Sequence, residues 1–416
     1  MSNRPVETDI AIVGAGAAGL AAAHRLQAAG RDFVVLEGSH RIGGRAYTEL
    51  LRDGEPFDLG AHWIHSPKVN PMFDFARRER ALLEEEDEDD SEFYTVDAYF
   101  ENGAWLPDSA SDAMADYVRH QFDRVERAVA AGRESSIYEL IDNDHRWAPY
   151  LYLFFGQDYT CDVDEISAAD SVSFEHLGND FAVGDGFGAL LSRYGADVPV
   201  QLNEAVRKVD WSGEKVVLDT AKGTVLANKI ILTVSTGVLA HRQIEFVPAL
   251  PASKLAAIES LPMGSCTRIA LSFASDVLDR WPADFTVCPD GQVPLHFRNR
   301  PFGYNYVEVV TGGRLAAWME QSGEAATLDY VTNYLAEIET DRRQLQLDRH
   351  IVSAWDNDPW TLGSYSYARP GKLDARQQLG RSVDNRLLFA GEAAIVGQQA
   401  TVHGAITSGQ IAAAAV

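Results

Sequence analysis

The feature that most constrains this chain lies close to its N-terminus. Residues 10–13 (IAIV) form a short apolar run that reads as a buried strand. GAGAAG follows directly, and then an alanine-rich stretch from Leu20 to Ala29 that favours a helix. Gly30 stands where a helix C-terminus favours glycine. A second run, FVVL at 33–36, is β-branched and aromatic. Strand, glycine turn, helix and strand inside about 30 residues make a βαβ unit, and such a unit belongs to a parallel sheet.

Gly14, Gly16 and Gly19 have separate steric tasks in this G-x-G-x-x-G string. The first permits the tight turn, the second lets the backbone approach a pyrophosphate, and the third lets helix and strand pack closely. Ala15, Ala17 and Ala18 fill the positions between and after them. The N–H groups at the mouth of the helix suit phosphate. Glu37 ends the second strand, where its carboxylate suits a ribose hydroxyl pair and repels the extra phosphate of NADP. Gly38 and Ser39 complete that edge of the expected cofactor bed.

With 416 residues the chain exceeds the modal domain size and buries a large core. Lysine and arginine number 36 against 61 acidic residues, a net charge of −25. That balance argues against nucleic acid or anionic lipid as partner and admits cationic small molecules. Cys161, Cys266 and Cys288 are too few and too scattered for a disulfide framework, and no CxxC pair suggests a metal site. The N-terminal residues lack a secretory pattern, and the apolar run Ile10–Ala23 is shorter than the roughly 20 residues that span a bilayer. A reducing, cytoplasmic setting is expected.

Further along, Glu84 to Asp90 is an acidic block that reads as a solvated turn or loop. A helix is expected over 109–131, and residues 150–155 are an aromatic run. Strands are expected near 198–202, 205–210, 215–219, 229–234, 267–274, 304–310 and 386–389. A helix is expected over 324–340, and another begins near His403. No repeat or low-complexity linker separates these parts, so two interleaved domains are expected.

Arg41-Ile42-Gly43-Gly44-Arg45 resembles the R-x-G-G-R stretch of glutathione-reductase-type FAD proteins. Asp58-Leu59-Gly60-Ala61-His62-Trp63-Ile64-His65, with Asn70-Pro71 behind it, resembles the flavin amine oxidases, particularly the polyamine and acetylpolyamine oxidases. The agreement continues in VQLNEAVRKV at 200–209, TVSTGVL at 233–239, WDNDPWTLGSYSY at 355–367, Gly391-Glu392 and ATVHGA at 400–405. It spans the chain apart from residues 76–177. The resemblance implies an α/β fold: a Rossmann-like FAD-binding domain from 1–75, 178–262 and 375–416, interleaved with an α+β substrate-binding domain from 76–177 and 263–374.

The resemblance also implies a chemistry and a set of residues. FAD is expected, bound noncovalently because no cysteine stands at Gly363-Ser364-Tyr365. Gly43, Gly44 and Arg45 would approach the phosphates or flavin, and the Val206 backbone the adenine. Gly60, Ala61, His62, Trp63 and Tyr365 would line or flank the ring, with Trp360 either joining them or filling the core. Glu392, after Gly391, would bond a hydroxyl of the cofactor, and Thr401 and Val402 lead into the helix whose first N–H groups would meet the flavin's pyrimidine end. His65 is the residue expected to meet the substrate amine, and His403 receives no catalytic role. Arg268 stands where the family has a lysine near the flavin, and is expected to alter the reaction with dioxygen. Of the acids near the tunnel region, Glu175, Asp180 and Asp185 are read as structural or solvated. The expected partners are a small cationic amine and dioxygen, with the chain a monomer or homodimer. Two enzymatic alternatives stay open: oxidation of a monoamine or amino acid, and dehydrogenation of an apolar substrate. A flavin-holding protein without turnover is the third.

Overall fold

The computed structural model describes residues 5–51, 54–86 and 96–416. The apolar run near the N-terminus becomes strand Val6–Val13, and the glycine turn opens helix Ala17–Ala28. Phe33–Leu36 lies parallel beside the first strand, with Val13 opposite Leu36. Val200–Gln201 extends the sheet on that edge. Thr224–Leu232 pairs parallel on the other edge, and Leu387–Phe389 pairs parallel with it. The sheet then continues antiparallel through Val216–Thr220 and Val206–Asp210, with Glu245–Val247 at the end. The expected parallel sheet is therefore present, with a three-stranded meander attached.

Both faces of this sheet are covered, as a parallel sheet requires. Ile10 and Ile12 face a core shared with helix Ala17–Ala28 and the C-terminal helix Val402–Ala414. Ala11 and Val13 face the opposite core, with Val209, Leu218 and Leu239. The two helices cross so closely that a Cβ at Gly409 would stand 2.1 Å from the Ala18 carbonyl oxygen.

A seven-stranded sheet forms the second layer, in the order Leu347–Val352, Cys266–Phe273, Val307–Gly312, Leu295–Asn299, Asp284–Cys288, Ala98–Glu101 and Ala104–Trp105. Side chains alternate across it. Ile269, Leu271, Val307, Val309, Leu295 and Phe297 enter an apolar core under helices Gly313–Ser322 and Glu324–Ile338. Their neighbours Arg268, Glu308, His296 and Arg298 line a cavity on the other side.

Helices Ser109–Ala130 and Ala148–Tyr159 build a third core, in which the aromatic run at 150–155 supplies Tyr150, Leu151, Phe154 and Phe155. The acidic block departs from its reading as a solvated loop. Leu83–Glu86 is a strand antiparallel to Asp180–Val183, which also pairs with Trp63–Ile64. Its remaining positions, 87–90, lie outside the described residues. Asp170 and Arg376 form a bidentate ion pair at 2.6 and 2.7 Å, and Arg376 is wholly buried. That pair joins helix Asp374–Gly380 to helix Ala168–Val172. No described helix is long and apolar enough to cross a membrane.

Candidate active site

A cavity of about 980 Å³ reaches from the first glycine turn to the polar face of the seven-stranded sheet. At its first end stand Gly14, Gly16, Ala17 and Ala18. Gly14 has φ 104°, and a Cβ there would lie 2.6 Å from Thr233 Oγ1, so the turn needs glycine. A Cβ on Gly16 would meet nothing within 4 Å, which leaves open space before the helix. Gly16 caps that helix without a side chain, so the first N–H groups can cradle an anion. Ala15 and Gly19 lie behind the wall. Ala15 N–H donates to Glu37 Oε2 at 2.7 Å, and a Cβ on Gly19 would stand 2.0 Å from the Gly14 carbonyl oxygen.

Glu37 is further fixed by the Ser39 N–H at 2.8 Å, and Gly38, Ser39, Ala205 and Val206 stand beside it in the lining. The ladder shifts register between Val206 and Lys208. Trp360 lies here and not beside the ring site: a Cβ on Gly38 would come within 2.4 Å of its indole. Gly43 and Gly44 fold the next loop back on the glycine turn, with Gly43 bridged to Gly16. Arg41 turns into its own loop, donating to the Gly44 carbonyl at 2.7 Å with its guanidinium 4.0 Å from the Tyr47 ring centre.

Arg45 and Glu392, both expected to contact cofactor, are bound to each other at 2.9 Å. Arg45 also donates to the Ser364 carbonyl at 2.6 Å, while Glu392 accepts from Ser366 N–H and Oγ. They are wall braces, and both still border the cavity. Gly391 and the start of the last helix complete this side. Thr401 Oγ1 caps that helix by accepting from Gly404 N–H at 3.0 Å, and Thr401 and Val402 line the cavity.

The second end is a chamber of aromatic and charged side chains. Gly60, Ala61, His62, Trp63 and His65 arrive from one segment; Phe154, Gln157, Phe174 and Tyr365 stand around them. His62 is held in place. Its Nδ1 lies 3.0 Å from Asp58 Oδ2, and the same carboxylate accepts the first N–H groups of helix Phe187–Tyr194. His65 Nδ1 bonds to Asp180 Oδ2. Asp180 is buried and lines the chamber, which excludes the solvated reading and keeps the structural one, while Glu175 and Asp185 are exposed and lie outside the lining. Tyr365 donates to the Gln157 carbonyl at 2.5 Å, and burial pushes its phenol far above the ordinary value, so it stays protonated.

Arg268 does point into the site, and it is buried. Its Nη2 is ion-paired with Glu308, Nη1 approaches the Gly60 carbonyl at 3.5 Å, and its guanidinium lies 5.1 Å from the Trp63 ring centre. Burial would raise the Glu308 carboxyl, but Arg268, with His62 and Arg298, outweighs it and holds the pKa below the usual range. Arg298 reaches the same indole at 5.9 Å and bonds to Glu86 at 2.8 Å. Glu86 in turn accepts from Trp63 Nε1 at 2.7 Å. Sequence reasoning missed Asp58, Glu86, Arg298 and Glu308. Strand alternation in HFRN at 296–299 was the available signal.

Chemically, the first end fits a dinucleotide and the second a small organic cation. A family model described as flavin containing amine oxidoreductase matches residues 17–416. The chain belongs to this family.

Its curated relatives include probable polyamine oxidase 4 of Arabidopsis thaliana, 30% identical over 97% of this chain and 86% of that protein. Polyamine oxidase 5 of Oryza sativa subsp. japonica is 28% identical over 97% and 86%. Lysine-specific histone demethylase 1 homolog 2 of Arabidopsis thaliana is 27% identical over 97% of this chain and 57% of its own length. Among solved structures, a putrescine oxidase double mutant superposes with TM-score 0.78 over 99% of both chains at 18% identity, which shows the amine oxidase fold. This flavin amine oxidoreductase is an enzyme that acts on amines and uses FAD. The cradle before Gly16, the held Glu37 and the glycine-rich loop fit the adenosine and diphosphate of that cofactor.

Proposed function

We propose that the enzyme oxidises a carbon–nitrogen bond of a polyamine or acetylated polyamine and that FAD is held noncovalently. The observation that carries this reading is the charge of the chamber. Glu86, Asp158, Asp180, Asp284 and Glu308 line it against two guanidiniums, Arg268 and Arg298. Glu308 pairs with Arg268, Glu86 with Arg298, Asp180 with His65 and Asp284 with His296, and the five carboxylates still outnumber the two guanidiniums, an excess that favours a cationic chain. The polyamine oxidases among its relatives support the same substrate class.

A bound FAD would supply the hydride acceptor, with dioxygen as the final oxidant and hydrogen peroxide as its product. The residues of this chain bind, orient and exclude water. Trp63, Phe154 and Tyr365 present apolar surface that disfavours a charged nitrogen near the reacting carbon. His65 meets that nitrogen and takes its proton. The imine left after hydride loss hydrolyses in water to an aldehyde and a shorter amine. Tyr365, a neutral phenol tied to Gln157, holds the wall in place.

Product analysis tests the proposal. Spermine, spermidine and their acetyl forms are incubated aerobically with the holoenzyme. A shortened amine, an aldehyde and peroxide in equal amounts are expected from at least one of them. Turnover confined to aromatic monoamines or amino acids would overturn the substrate assignment.

A further inference from the structure

Three short strands set a row of ionisable side chains along one wall of the chamber. Trp63 lies opposite Ala182 and Ile64 opposite Phe181, so the next step of this antiparallel ladder sets His65 against Asp180. On its other edge Asp180 lies opposite Glu86. Cross-strand neighbours have Cβ atoms about 5 Å apart, which is the reach of an imidazole–carboxylate bond. His65 Nδ1 and Asp180 Oδ2 make that bond. The carboxylate is 2% exposed and the imidazole 30%, so the acid sits beneath a ring that still meets the chamber.

The other groups around this couple come from several elements. Glu86 faces Asp180 from strand Leu83–Glu86. His403 approaches from the C-terminal helix; burial first, then His65, pushes its pKa down to about 3, so it is neutral at physiological pH. His176 lies beyond the Phe174 ring, which is itself 6.4 Å from the His65 ring. His62, Arg268 and Arg298 gather around Trp63. An imidazolium at His65 is therefore met across the ladder by the Asp180 carboxylate.

We propose that Asp180 is the positioning residue of the amine oxidation, holding the His65 proton on Nδ1 so that Nε2 accepts the proton of the substrate ammonium. This rests on the amine-oxidation reading above. In the transfer an N–H bond of the ammonium breaks and an Nε2–H bond forms. The electron pair stays on the substrate nitrogen, and the new imidazolium is compensated by Asp180. No oxidant enters this step; it prepares the neutral amine whose carbon then loses hydride. Asp180 touches neither substrate nor cofactor in this role.

The test compares holoenzyme carrying Asp180→Asn, His65→Gln or both with the wild type, using the best amine substrate and kcat/KM across pH. Loss of the carboxylate lowers the basicity of His65, so the acid limb of the Asp180→Asn profile moves about one unit to lower pH. The plateau falls about tenfold or more. Added to His65→Gln, the same substitution changes kcat/KM less than about twofold, because the pair acts as a unit. A uniform drop with an unmoved acid limb, or full additivity in the double variant, overturns the proposal. If Asp180→Asn does not fold, NMR of the imidazole nitrogens in wild-type enzyme decides: His65 carries its neutral-form proton on Nδ1, and an Nε2–H tautomer overturns the proposal. This readout needs no turnover. Failure of every amine to react would sink the amine reading and leave the tautomer result standing.

Discussion

Arg45 and Glu392 stand 347 positions apart and meet at 2.9 Å in the cavity wall. The contact joins the glycine-rich loop near the N-terminus to the segment before the last helix. Ser366 is shared between Glu392 and Arg376, so the brace continues into the buried Arg376–Asp170 pair. Glu392→Ala leaves Arg45 and both Ser366 donors without this acceptor. It is expected to lower unfolding stability by about 2–3 kcal/mol and to reduce FAD content. Denaturant titration and the visible absorbance of purified protein measure the two effects.

Gly14 and Gly16 separate folding from cofactor binding. Gly14→Ala places a Cβ at positive φ and against Thr233, and should destabilise the chain by about 1–3 kcal/mol. Gly16→Val projects into space that the protein leaves open. It should change stability without FAD by less than about 1 kcal/mol while weakening FAD binding at least about tenfold. Calorimetry of apoprotein and FAD titration distinguish these outcomes.

Arg268 is readable in folding and in reoxidation. Glu308 is held below its ordinary value of 4.5, so its pairing stabilises the fold above that pH and the contribution is lost as pH falls through the folded pKa. Arg268→Met removes the largest charge opposing burial, leaving only His62 and Arg298 against it, and the carboxyl rises. The variant should lose about 3–5 kcal/mol near neutral pH, with the deficit shrinking in acid. Denaturant unfolding at neutral and acid pH checks the trend. Arg268→Lys tests the dioxygen role: the reoxidation rate constant in stopped flow should differ from that of wild type, and equality would remove the role.

How much of this was readable beforehand depends on how far apart the interacting parts lie. The glycine turn, the helix it opens and Glu37 obey local steric rules, and they lie where the pattern places them. The polar sheet face did not. His296 and Arg298 look like two polar residues in a short segment until Leu295, Phe297 and Asn299 are seen to fill the opposite face. Asp180 acquires its role only through the ladder that sets it against His65. Its neighbours in sequence point Trp360 to the ring, yet a turn closed by Thr361 and Leu362 N–H on the Asp358 carbonyl carries it to Gly38. Charge runs mislead in the same way: Glu86 ends an acidic block but turns inward to Trp63 and Arg298.

Glu320 supplies a pH signature away from the cavity. Burial, then repulsion by Asp356, pushes its pKa up to about 7. A carboxyl raised on folding stabilises fully below its unfolded value, and that contribution is lost as pH rises through the folded one. Wild-type stability should therefore fall between about pH 4.5 and 7, by about 1–2 kcal/mol from this group. Glu320→Gln should flatten that slope in denaturant unfolding.

Anaerobic reduction of the bound flavin is the most direct measurement. Holoenzyme is mixed without oxygen with spermine, spermidine, their acetyl forms, putrescine, aromatic monoamines and amino acids, and the yellow absorbance is followed. The account predicts bleaching by a polyamine or an acetylated polyamine. Bleaching by monoamines alone would contradict the substrate class, and a flavin that no amine reduces but an apolar alkene does would contradict the chemistry itself.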